Sequence, residues 1–145
     1  MPTAPQSYAN HRAFPKPIFI VLALILLSNV LVAGWLAVQG PSLASICQVV
    51  IGIALFLMIF MARSHAQTIQ DRVIRLEMQL RLHRVLPADR HGDIAKLELR
   101  HLIALRFASD AELPALVAAV MSGALTEPDA IKQKITAWQP DWLRV

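Results

Sequence analysis

Two uncharged, predominantly apolar runs, Ile18–Val38 and Leu43–Ala62, dominate the first half of the chain. Each is close to the roughly 20 residues that a helix needs to cross a hydrocarbon core about 30 Å thick. Gln39-Gly40-Pro41-Ser42 lies between them, and proline cannot continue a helix. So short a link predicts an antiparallel hairpin of two transmembrane helices, 18–38 and 43–62. Residues 1–17 hold Pro2, Pro5, Pro15 and Pro17 without apolar periodicity, which predicts a disordered or extended leader.

Past Ala62 the pattern changes. From Ile53 to Leu86 there is no glycine or proline, so a helix begun in the second span can run on as a stalk over 63–86. Ile74-Arg-Leu-Glu-Met-Gln-Leu-Arg-Leu82 alternates apolar and polar at the strand period. Its Leu, Met, Gln, Glu and Arg are helix formers, however, and Ile69, Val73, Leu76 and Leu80 follow a 4-3-4 spacing that makes one helical stripe. The expectation is a basic amphipathic helix. Pro87-Ala-Asp-Arg-His-Gly92 predicts a break, and residues 87–145 a small domain of three helices. The first covers about 93–108. The second opens at the capping-box pattern Ser109-Asp-Ala-Glu112 and closes at Gly123. The third starts at Thr126-Glu-Pro-Asp129, carries Ile131, Ile135 and Trp138 on one face, and ends before Pro140. The fold class is therefore an all-α membrane protein.

Charge sharpens this picture. No Asp, Glu, Lys, Arg or His occurs between Ile18 and Ala62, and all 10 acidic residues follow that stretch. Arg12 and Lys16 precede the first span, Arg63 follows the second, and the link between them is uncharged. The positive-inside rule then predicts that both termini are cytoplasmic, with Trp35 an interfacial anchor at the far end of the first span. The 21-residue run from Ile18 is too long for the hydrophobic region of a cleaved signal peptide. The single cysteine, Cys47, excludes an internal disulfide framework.

Three segments carry a resemblance: Gln-Asp-Arg-Val-Ile-Arg-Leu-Glu (70–77), Leu-Ile-Ala-Leu-Arg-Phe-Ala-Ser-Asp (102–110) with Glu-Leu-Pro-Ala-Leu-Val (112–117), and Trp-Gln-Pro-Asp-Trp-Leu-Arg-Val (138–145). The chain resembles a family of small bacterial membrane proteins built around a domain of unknown function. The resemblance implies a two-span inner-membrane protein and brings no activity, cofactor or catalytic residue.

Within the spans, Asn29 and Gly52 fall at similar depth when counted from the turn. A buried amide wants a partner there, and a facing glycine allows close backbone approach, so both are expected to pack the hairpin. No ionisable group marks a proton or ion path. The five histidines show no i,i+3 or i,i+4 pairing, so no metal or cofactor site is expected. Arg72, Arg75, Arg81 and Arg84 on the stalk suit anionic lipid or an acidic partner, or else local pairs such as Asp71–Arg75 and Glu77–Arg81. Residues 107–145 hold three basic and five acidic side chains, which disfavours nucleic acid as a partner. No small-molecule substrate is indicated.

The expected function is that of a non-enzymatic scaffold or accessory subunit acting through helix–helix contacts. It would work as a homo-oligomer zipped along Ile69, Val73, Leu76 and Leu80, or within a larger membrane complex. A small homo-oligomeric pore or stress-gated channel is the alternative, and a membrane-tethered DNA-binding protein a further one.

Overall fold

The computed structural model describes residues 6–10 and 15–141, and they are helical with no strand. The expected roles of His11, Arg12 and the end of the 138–145 segment lie outside the described residues. The elements are α1 (Pro17–Gln39), α2 (Leu43–Val85), a 3₁₀ turn (Ala88–Arg90), α3 (His91–Ile94), α4 (Leu99–Leu105), α5 (Leu113–Met121) and α6 (Pro128–Lys134). Both α1 and the first part of α2 are long and apolar enough to cross a membrane.

Two compact units divide the chain: residues 15–68 form one, and residues 6–10 with 69–141 form the other. In the first, Pro17 occupies the opening turn of α1, where its missing N–H costs nothing. Ser42 caps α2 by accepting from the Ser45 N–H at 3.1 Å, and Ser45 Oγ in turn accepts from the Ser42 N–H at 2.9 Å. Most apolar side chains of α1 and of the first part of α2 are exposed, and Ala33 is buried.

The second unit revises the boundary expected at 86/87. Its core takes in Ile74, Met78 and Leu82 of α2 and Leu86 just after it, with Ile94, Leu102, Leu105, Phe107, Leu113, Val117 and Ile131. The end of α2 is thus the longest helix of this folded unit, not a stalk outside it. At about 100° per residue, Ile74, Met78 and Leu82 lie roughly opposite Ile69, Val73, Leu76 and Leu80 on the helical wheel. The strand-like alternation of this stretch is therefore two helical stripes on opposite faces.

Three further expectations are corrected. The break at 87–92 is itself largely helical, and the helix expected over 93–108 is two helices, because Glu98 turns extended and starts α4 afresh. That bend lets Ile94, Leu97, Leu102 and Leu105 reach the same core. The last helix stops at Lys134, short of Trp138. The chain instead continues extended, with Trp138 bridged to Ala108 and the Gln139 N–H donating to the Phe107 carbonyl at 2.7 Å. Finally, residues 6–10 are ordered where a disordered or extended leader is expected. Gln6 is buried and its Oε1 accepts from the Asp141 N–H at 2.8 Å, while Gln133 donates to the Tyr8 hydroxyl at 3.1 Å. Gly123, at φ +78°, ends α5 in the left-handed conformation that its position predicts.

Substituting the two faces of α2 separates their roles. Leu82→Ala removes a fully buried side chain and is expected to cost about 2–5 kcal/mol, exposing the amides of α4 and α5 to hydrogen exchange. Leu80→Ala, two residues away and 72% exposed, is expected to leave that protection within about 0.5 kcal/mol of wild type.

Candidate functional site

The four residues of the expected interaction stripe are presented together. Ile69, Val73, Leu76 and Leu80 are 63%, 45%, 61% and 72% exposed, on the face of α2 turned away from the core. Leu76 and Leu80 also line a groove of about 540 Å³ whose far wall is Ile94 and Ala95. His83, three residues beyond Leu80, closes one end of that groove with His91, and the two rings meet edge to face at 4.7 Å. Sequence spacing hides this pair, because the turn at Pro87 brings together residues eight apart. His91 Nε2 lies 3.0 Å from the Leu86 carbonyl oxygen, which fixes its ring. Among the described residues no three His, Cys, Asp or Glu side chains gather into a metal site.

The stalk arginines do not act alike. Arg72, Arg75 and Arg84 are exposed beside the apolar stripe. Arg81 is not available to lipid or to a partner as expected. Its guanidinium pairs with Asp110 at 2.6 Å and donates to the carbonyls of Arg106 at 3.1 Å and Ala108 at 2.6 Å. Two carbonyls left over at the end of α4 converge with one carboxylate, and a planar fork of donors meets all three. The local partner Glu77 offers nothing comparable.

Glu112 makes the second polar clasp of this unit, and the capping-box pattern locates only half of it. One carboxylate oxygen accepts from the Ser109 hydroxyl at 2.9 Å and the Ser109 N–H at 3.3 Å. The other accepts from the Thr136 N–H at 2.9 Å, the Ala137 N–H at 3.2 Å and the Thr136 hydroxyl. These contacts tie the start of α5 to the extended segment after α6. Partial burial pushes the Glu112 carboxyl up. The hydrogen bonds from Thr136, Ser109 and Ala137 outweigh it and hold the group down at about 2, against an ordinary 4.5.

In the other unit the structure brings Asn29 and Gly52 together. A Cβ on Gly52 would lie 3.0 Å from Asn29 Oδ1 and 3.2 Å from Val30 Cγ2, so any side chain there makes these two neighbours give way by a few tenths of an ångström. Gln48 Nε2 reaches the same Asn29 oxygen at 3.5 Å. Phe19 meets Phe60 edge to face at 5.6 Å, and the Arg63 guanidinium lies over the Phe19 ring at 5.1 Å. Trp35 stands exposed near the far end of α1.

The depressed Glu112 carboxyl carries a pH dependence. A group whose folded pKa lies below its unfolded value stabilises the fold above the unfolded value, and the gain is lost as pH falls toward the folded one. Thermal unfolding of the 69–141 unit is therefore expected to become easier between about pH 5 and pH 2, and Glu112→Gln is expected to flatten that part of the profile.

No curated protein and no solved structure matches the chain. A family profile, in contrast, matches over residues 1–145, and the chain belongs to that family of unknown function, DUF6526.

Proposed function

We propose that this chain is a two-span protein of the bacterial inner membrane that acts as a non-enzymatic scaffold, pairing through the exposed stripe of α2 with a second copy of itself. The observation that carries the reading is the exposure of Ile69, Val73, Leu76 and Leu80 on the face opposite the core. Their 4-3-4 spacing is that of alternating core positions in a parallel coiled coil. Two copies inserted the same way in one membrane would present these helices in parallel, as the pairing needs.

The hairpin arrangement has separate support. Contacts between α1 and α2 join Phe19 to Phe60 and Asn29 to Gly52, so positions rise along one helix as they fall along the other. Residues 6–10, ahead of α1, share a folded unit with residues 69–141. That sharing favours both ends emerging on one side. Lys16 and Arg63 at the ends of the spans favour the cytoplasm as that side by the positive-inside rule. Asn29 turned toward Gly52 favours a packing role over the lining of a pore.

Native mass after gentle extraction tests the pairing. The wild-type protein is expected as a discrete multiple of 16.1 kDa. The double variant Leu76→Lys/Leu80→Lys is expected as a monomer with unchanged helical content, since neither residue belongs to the core. A monomeric wild type, or a double variant that keeps the wild-type mass, overturns the reading. A wild-type mass that includes other polypeptides replaces self-pairing with an accessory role in a larger complex.

A further inference from the structure

The Lys16–Arg63 end of the hairpin has features that the pairing of α2 does not use. A pocket of about 240 Å³ opens there, lined by Lys16, Ile18, Phe19, Ile59, Ala62 and Arg63. Two of its walls are cationic and the other four are apolar. Arg63 is half-buried and braced over the Phe19 ring, which itself packs on Phe60, and Phe60 on Phe56 at 5.1 Å. The guanidinium is thus held by aromatic contact and is not paired with an acid. No acidic residue precedes Asp71 in the chain, and Asp71 lies about 12 Å further along α2. Among the described residues neither Lys16 nor Arg63 enters an ion pair.

We propose that this pocket holds the phosphate of an anionic glycerophospholipid, an inference that rests on the membrane-spanning reading above. Two unpaired cations at the ends of two apolar spans stand at the depth where lipid phosphates lie, and basic pockets between spans are suited to such headgroups. An arginine fork can meet two phosphate oxygens at once, with the lysine supplying a compact second charge. The apolar walls favour a lipid over free phosphate. Ile18 and Ile59 lead directly into the exposed apolar faces of the spans, along which acyl chains can lie. Phe19 braces the guanidinium from below and forms part of the same pocket wall.

The test uses the full-length chain in a mild detergent, with bound lipid read by native mass spectrometry against dioleoyl phosphatidylglycerol and dioleoyl phosphatidylcholine at equal concentration. Wild type is expected to retain the anionic lipid on the order of tenfold better. Lys16→Gln/Arg63→Gln is expected to bring the two lipids close to parity, whereas Lys16→Arg/Arg63→Lys keeps the preference. The control Arg100→Gln/Lys134→Gln removes equal charge from exposed positions elsewhere and is expected to behave as wild type. Excess inorganic phosphate is expected to leave the lipid in place. Parity in the wild type, an equal loss in the control, or displacement by inorganic phosphate overturns the proposal. Alkaline carbonate extraction keeps the two inferences distinguishable. A chain stripped from its membrane sinks the membrane reading, whereas a retained chain without lipid preference sinks only this one.

Discussion

Between Ile69 and Val85, α2 carries apolar side chains on two opposite faces, and a unit of about 80 residues can cover only one of them. The covered face is Ile74, Met78 and Leu82, with Leu86 just after it, around which α4, α5 and α6 assemble. Those three helices have seven, nine and seven residues, too short to be stable alone. They depend on α2 as the surface on which they collapse. In exchange they leave Ile69, Val73, Leu76 and Leu80 bare, and the proposed pairing follows from that division.

Polar contacts then fix how the short helices meet. Arg81 leaves α2 on the flank between its two apolar faces and gathers the carbonyls at the end of α4 with Asp110. Glu112 gathers the N–H groups on either side of α5 and α6. Each clasp satisfies backbone groups that a helix end leaves without partners. Because both join segments more than twenty residues apart, they turn a set of local turns into one cooperative unit. The ordered residues 6–10 add a further tie through Gln6 and Tyr8.

Much of this was legible in the sequence, and the reasons for the rest are physical. The two apolar helices, their tight link, the continuous α2 and the glycine that ends α5 all follow from local composition, which acts within a few residues. The facing of Asn29 and Gly52 is also readable, since a short link fixes the register of two helices packed side by side. What escaped depends on distant partners. Both stripes of α2 are equally apolar, so no local signal says which one is buried. That choice belongs to helices folded from residues 91–134. Glu77 looks like the natural partner of Arg81 until Asp110 and two free carbonyls converge on the guanidinium. His83 and His91 approach only because the chain reverses at Pro87, and the leader binds only because residues 133–141 offer it a surface.

In the proposed pairing, the bare face of α2 is covered by another copy of the same helix. Disulfide cross-linking in intact membranes tests it most directly, with Cys47→Ser to remove the one native thiol. Single Val73→Cys, Leu76→Cys and Leu80→Cys variants are predicted to form covalent dimers on mild oxidation. Arg75→Cys, equally exposed but off the stripe, is predicted to stay monomeric. Cross-linking that is absent from the stripe, or as complete at position 75 as at 76, would contradict the account.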